Sequence, residues 1–306
     1  MTEKIGFLFP GQGSQFVGMG KDLYEQFSEA KAIYDQAETI LGMAIKELSF
    51  EGPEEELRKT YITQPAILVN SIAVFEILKN KGLIPSLAAG HSLGEYSALY
   101  AAEVLDFESV LKIVKKRGEL MYAEGEKNPG TMAAILGLAD DAVKSLCQEV
   151  SGVVVPANFN APGQVAISGE VEAVKKVADL AKARGALKAV MLPVSGAFHS
   201  PLLEKSAQEF KQFLTDFTIK EPKFPIIPNV SGEPVKTAAE IRKSLENQLI
   251  SPVLWTKTIQ TARNLGFNKF YEVGPGKVLC GLVKRIDNSL TAIPVGRYEE
   301  ILALGI

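Results

Sequence analysis

The sequence predicts an α/β protein in two parts, a larger α/β domain with a small ferredoxin-like domain inserted into it. Three stretches carry that prediction. Leu87-Ala88-Ala89-Gly90 is a short apolar strand that passes through a single serine into the Ala-rich run that starts at Glu95, the strand-turn-helix layout of a nucleophile elbow. Residues 131–194 read as strand, helix, strand, strand, helix, strand, the β-α-β-β-α-β order of a ferredoxin-like unit. Ile5-Gly6-Phe7-Leu8-Phe9-Pro10 reads as a buried first strand closed by proline. The large domain then takes residues 1–124 and 197–306, and the small domain 125–196.

The bulk properties narrow the class. A chain of 306 residues can bury a large core, and its net charge of −3 does not support nucleic-acid binding. Cys147 and Cys280 stand far apart, which reads as free thiols in a reducing compartment rather than a disulfide framework or metal site. Met1-Thr2-Glu3-Lys4 leads into only six apolar or small residues before Gly11, too few for a secretory leader, and no apolar run is expected to cross a bilayer. The expected location is the cytoplasm.

After the first strand comes Gly11-Gln12-Gly13-Ser14-Gln15. Two phosphate-binding patterns fail here. A dinucleotide fingerprint needs glycine where Phe16 stands, and a P-loop ending at Gly20-Lys21 needs glycine at Gln15 and Ser or Thr at Asp22. What remains is a tight loop that holds the Gln12 amide near a reacting centre, or a glycine cluster with no chemistry. Residues 22–60 read as surface helices. Thr63-Gln64-Pro65 opens the next helix, with proline near the first turn, and the helix is apolar nearly all round to about Asn80, where Gly82 ends it. Such a helix is buried beside the elbow strand.

In the elbow, Gly90 and Gly94 flank Ser92 at two residues on either side, as a sharp turn requires. The hydroxyl then projects above the sheet, with the Leu93 N–H at a helix N-terminus. The plainer reading is that Ser92 only caps that helix. Asp106 starts another helix, on which Arg117 shares a face with Val110, Val114 and Met121. An inward guanidinium needs an anionic partner, either an internal Asp or Glu or a substrate carboxylate. Residues 125–130 read as a linker-like break.

The return to the large domain comes at Ser195-Gly196-Ala197-Phe198-His199-Ser200-Pro201. Ser200 can cap a helix with Pro201 in its first turn, which leaves His199 just before the positive end, where protonation is disfavoured and a general base stays neutral. His91, adjacent to Ser92, points away from it, so His199 is the base that fits, unless it is a structural loop histidine. Further on, 225–230 reads as a strand, 248–255 as a loop entering a helix, and 270–276 as a late strand and turn; the tail 297–306 carries no usable signal.

Phe9-Pro10-Gly11-Gln12-Gly13-Ser14-Gln15, Thr63-Gln64-Pro65-Ala66, Gly90-His91-Ser92-Leu93-Gly94-Glu95, Ala197-Phe198-His199-Ser200 and Val273-Gly274-Pro275-Gly276 together resemble the malonyl-CoA:acyl carrier protein transacylases of fatty acid synthesis. The resemblance runs in order from about residue 5 to 285. It implies an α/β-hydrolase-like large domain with a ferredoxin-like insertion. It also implies Ser92 as nucleophile, His199 as base and the backbone N–H groups of Gln12 and Leu93 as an oxyanion hole. Arg117 would pair with the malonyl carboxylate, Gln64 would line the acyl pocket, and Phe198 fits a preference for malonyl over methyl-branched groups. The Gln248 carbonyl would orient the histidine, while nothing is attached to Ser251. The partners implied are malonyl-CoA and phosphopantetheinylated acyl carrier protein, with no metal or redox cofactor needed, no nucleic acid and no membrane.

Two competitors differ in class. A serine esterase or thioesterase would need an acid, between serine and histidine in the chain, to orient the imidazole, and no sequence feature singles one out. A non-catalytic acyl-binding module would have no reason to keep Ser92, His199 and both glycine turns. The same transacylase chemistry also serves polyketide pathways.

Overall fold

The computed structural model describes residues 4–194 and 196–306; the readings that rest on Met1 to Glu3 and on Ser195 lie outside the described residues. Strands β1 (Ile5–Phe9), β2 (Leu87–Gly90), β3 (Gly130–Leu136), β4 (Val154–Ala161), β5 (Gln164–Glu170), β6 (Lys188–Met191), β7 (Ile226–Ile227), β8 (Lys269–Val273) and β9 (Thr291–Val295) form two sheets. The first is parallel throughout, in the order β7-β2-β1-β8-β9. The second is antiparallel, in the order β4-β5-β3-β6. The chain is therefore an α/β protein with a parallel sheet and a separate antiparallel one.

A parallel sheet covered on both faces needs apolar side chains pointing both ways, and β1 has them. Phe7 and Phe9 enter the core on one face, where Phe75 and Tyr271 meet Phe7 edge-on at ring-centre distances of 6.3 and 6.0 Å. Leu8 enters the core on the other face, with Phe270, Trp255 and Ile259. The helix Thr60–Asn80 is buried along most of its length in the first core. In the second sheet, the helices Asp140–Glu149 and Val171–Ala183 pack Leu146, Val174 and Val177 against Ile135, Val165 and Ile167. Met132 and Ala166 point the other way, toward the parallel sheet's loops. The bulged end of β4 is tied there: Phe159 N–H donates to Val253 O at 2.9 Å and Val253 N–H to Ala157 O at 2.8 Å.

Several expectations are corrected. The helix begins at Thr60, not at Thr63, so Pro65 lies inside it. Packing outweighs the local proline signal: Ile62 and Thr63 are buried, the Thr63 hydroxyl donates to Leu57 O, and Tyr61 backbone lies against Gly118. That helix, at 21 residues, is also apolar and long enough to cross a membrane by composition, contrary to the expected absence of such a run. It is a core helix, with 89% of its most apolar window buried in the protein. The break expected over 125–130 shrinks to Asn128 and Pro129, because the helix Phe107–Lys127 carries the buried Gly125 in its last turn. The strand expected over 225–230 is only Ile226–Ile227, since Pro225 and Pro228 on either side have no N–H for a ladder. Strand β9 was not anticipated, nor was the helix Tyr298–Leu302 in the tail, where Tyr298 N–H donates to Asp22 Oδ2 at 2.8 Å.

The elbow glycines generate a paired prediction. A Cβ on Gly94 would sit 2.0 Å from Phe9 O, whereas one on Gly281, in the helix Val278–Ile286, would meet nothing within 4 Å. Gly94→Ala should lower stability by more than about 2 kcal/mol. Gly281→Ala should raise it by about 0.5 kcal/mol. Urea unfolding of both variants checks the pair.

Candidate active site

Strand β2 ends at Gly90 and the next helix begins at Gly94, so the chain reverses within three residues. A Cβ on Gly90 would sit 1.9 Å from Gly94 C, and Ser92 takes the left-handed φ of 51°. The helix has Leu93 in its cap position with no side-chain cap bond, so Ser92 does not serve as the cap. Its Oγ lies 2.8 Å from His199 Nε2 and 3.1 Å from Arg117 Nη2. The loop after β1 lies against the elbow, where a Cβ on Gly11 would sit 2.3 Å from His91 O. Gln12 and Leu93 both reach the cavity beside Ser92, and the Gln12 side chain turns away to Thr60 Oγ1 at 3.3 Å.

His199 sits at φ 57° just before the short 3-10 turn Pro201–Leu203, which Ser200 caps by accepting from Leu202 N–H at 3.3 Å. Its Nδ1 lies 2.9 Å from Gln248 O and 3.1 Å from Ser251 O. A carbonyl can only accept, so Nδ1 carries the proton and Nε2 is left to accept from the Ser92 hydroxyl. Two backbone carbonyls thus orient the ring, the second from Ser251, which the sequence did not single out. A carbonyl belongs to any residue, so no side-chain signal could have marked it. Burial, and then the nearby charge of Arg117, push the imidazole down to about 3. The ring is neutral, as a base must be.

Arg117 is 1% exposed. Its Nη1 donates to Gln64 Oε1 at 2.7 Å and its Nη2 to Gln248 Oε1 at 3.2 Å, with the Tyr96 ring 5.4 Å from the guanidinium carbon. Each of these partners is neutral. Among the described residues no Asp or Glu oxygen lies within 4.0 Å of it, and its buried Nε has no acceptor. The internal-acid reading of Arg117 therefore finds no contact. The nearest influence of that kind is Glu95, also buried and pushed up to about 7 by burial against hydrogen bonds from Asn229 and Gln248 and the pull of Arg117.

A cavity of about 300 Å³ opens over Ser92. Leu93, Phe198 and His199 line it from loops of the larger part and Arg117 from the helix Phe107–Lys127, while Met132 and Asn160 line it from the second sheet. Gln64 is the exception to the expected lining. It lies fully buried behind Arg117, with Nε2 at 3.3 Å from Met121 Sδ, so it supports the guanidinium and does not reach the cavity. His91 turns from Ser92 as expected, its Nε2 2.8 Å from Asn160 Oδ1 and its ring edge-on to Trp255. Asn229 was missed: its Oδ1 accepts from Ser92 N–H at 2.6 Å. A single asparagine 137 residues further along the chain leaves no local pattern to find it by. Chemically, the site can take a proton from a serine hydroxyl beside a positive charge that lacks its anion.

The Acyl transferase domain family matches residues 6–298. The malonyl CoA-acyl carrier protein transacylase of Bacillus subtilis strain 168 is 46% identical over 301 residues, covering 97% of this chain and 95% of that one. An acyl carrier protein S-malonyltransferase from Vibrio cholerae superposes with a TM-score of 0.95 at 41% identity, covering 99% of this chain and all of the other. A malonyl-transacylase solved in complex with its type II PKS acyl-carrier protein, AntF, gives 0.96 at 41% identity, covering 98% of each chain. At that identity, over nearly its whole length and on the same fold, the chain belongs to the malonyl-CoA:acyl carrier protein transacylase family.

Proposed function

We propose that the chain moves the malonyl group of malonyl-CoA to the phosphopantetheine thiol of acyl carrier protein by way of a malonyl ester on Ser92, supplying fatty acid synthesis in the cytoplasm. The observation that carries the reading is Arg117: a buried guanidinium 3.1 Å from the Ser92 hydroxyl, with neutral partners only. Such a group fits the free carboxylate of a malonyl thioester, which would arrive as the missing anion with its thioester carbon held at Ser92.

In this reading His199 Nε2 takes the Ser92 proton as Oγ attacks the thioester carbonyl, and the N–H groups of Gln12 and Leu93 receive the oxyanion. Coenzyme A leaves with the proton from His199. The carrier thiol then attacks the malonyl ester, His199 again accepting the proton, and Ser92 is regenerated. Phe198 in the cavity wall supports a preference against branched acyl groups. Orientation of His199 by carbonyls rather than a carboxylate weighs against a triad hydrolase. A type II polyketide carrier is the alternative acceptor, favoured by the relative solved with AntF. Presenting both kinds of carrier to the malonylated chain distinguishes them by initial rate.

The discrimination is measurable. Arg117→Ala should cost malonyl-CoA about 3 kcal/mol of transition-state binding, roughly 10²-fold in kcat/KM, with acetyl-CoA little changed. An equal loss with both thioesters would make Arg117 structural and remove the reading. The pH profile gives a second check. Because His199 is held far below the ordinary histidine value of 6.5, the Glu95→Gln variant, which lacks the carboxyl that titrates at about 7, should keep kcat/KM for malonyl-CoA level as the pH falls through 6.5, with the acid limb only well below it. An acid limb centred at the ordinary histidine value would contradict the buried, neutral base.

A further inference from the structure

Ser92 holds a left-handed backbone that a residue with a side chain keeps only where its surroundings over-determine it. Two side chains hold its backbone: Gln248 Nε2 donates to Ser92 O at 3.2 Å, and Asn229 bridges the turn. Asn229 is wholly buried; its Oδ1 accepts from Ser92 N–H at 2.6 Å while its Nδ2 donates to Gly90 O at 2.6 Å. A single amide thus spans the turn, satisfying a donor and an acceptor that the strand ladder leaves behind at the end of β2. Asn229 is itself fixed. Its backbone N–H donates to Glu95 Oε2 at 2.8 Å, and its carbonyl accepts from Leu254 N–H at 3.0 Å. Glu95 stands in the first turn of the helix that leaves the elbow, so the bonds close a ring from the turn through Asn229 and Glu95 back to the turn.

We propose that Asn229, locked by Glu95, is a positioning residue of the elbow and sets where Ser92 Oγ stands relative to His199. The inference rests on reading Ser92 as the nucleophile. The chemistry required at 229 is specific: one acceptor facing the Ser92 N–H and one donor facing Gly90 O. Alanine supplies neither. An aspartate supplies two acceptors, so its second oxygen opposes Gly90 O, but a protonated aspartic acid supplies one of each, as the amide does. Glu95 is the titratable group that touches Asn229, while Arg117 and His199 meet Ser92 at its hydroxyl. Asn229 makes no contact with Arg117, whose guanidinium is held by Gln64 and by the Gln248 side chain, and the Gln248 Nε2 is a second tie to the elbow, donating to Ser92 O at 3.2 Å.

The test is the rate at which a fluorophosphonate labels Ser92 in the wild type, N229A and N229D across a range of pH. This probe needs the serine, its base and oxyanion donors, and brings no carboxylate for Arg117 to pair with. The expected result is labelling of N229A slowed by about 10²-fold, with the KM for malonyl-CoA unchanged. N229D should approach the wild-type rate at low pH and fall toward N229A as its carboxyl ionises. If N229A does not fold, the ratio of N229D to wild type against pH carries the test. Labelling of N229A as fast as the wild type, or a ratio for N229D that does not change with pH, overturns the inference alone. A wild type that resists labelling at Ser92 removes the reading of the site and this inference with it.

Discussion

A guanidinium buried without a carboxylate against it is the constraint on which the rest of the structure depends. Removing a cation from water is costly, and neutral hydrogen bonds offset only part of that cost. Arg117 has the Gln64 and Gln248 oxygens and the Tyr96 face, and a buried Nε with no acceptor. An incoming carboxylate would supply the charge that these neutral partners lack, as the proposed function requires. Burial, and after it the positive charge of Arg117, hold His199 unprotonated, so the cation that in the proposed function receives the substrate also favours the neutral base.

The fold supplies the rigidity this needs. Covered on both faces, the parallel sheet presents two loop ends side by side, the Gly11–Gly13 loop and the elbow. The second sheet closes the cavity from above, and the bulged end of β4 binds Val253, in the segment whose Gln248 and Ser251 carbonyls orient His199. His91 adds a further tie across the cavity, through Asn160. Gln248 links the parts: its backbone carbonyl meets His199, its Oε1 meets Arg117 and its Nε2 donates to Ser92 O at 3.2 Å.

What was legible in the sequence was what local chemistry dictates. Gly90 and Gly94 mark a turn that no side chain could enter, Asp106 caps its helix at Ser109 N–H as its position implies, and the strand and helix periods of the small unit alternate in order. What was not legible depends on contacts made far along the chain. Pro65 signals a helix start, yet packing of Ile62 and Thr63 extends the helix before it. Gln64 looks like a pocket residue from its motif, but its amide is drawn behind Arg117 because the guanidinium needs an acceptor there. Asn229 follows a two-residue edge strand, and only the folded chain brings it under the elbow.

The most direct test of the central claim is intact mass after brief incubation with malonyl-CoA, and separately acetyl-CoA, with no carrier protein present. The account predicts a malonyl adduct that maps to Ser92, persists in water, discharges onto added phosphopantetheinylated carrier protein, and forms far less readily with acetyl-CoA. Steady release of coenzyme A with no adduct would mean that water is the acceptor, and would contradict it.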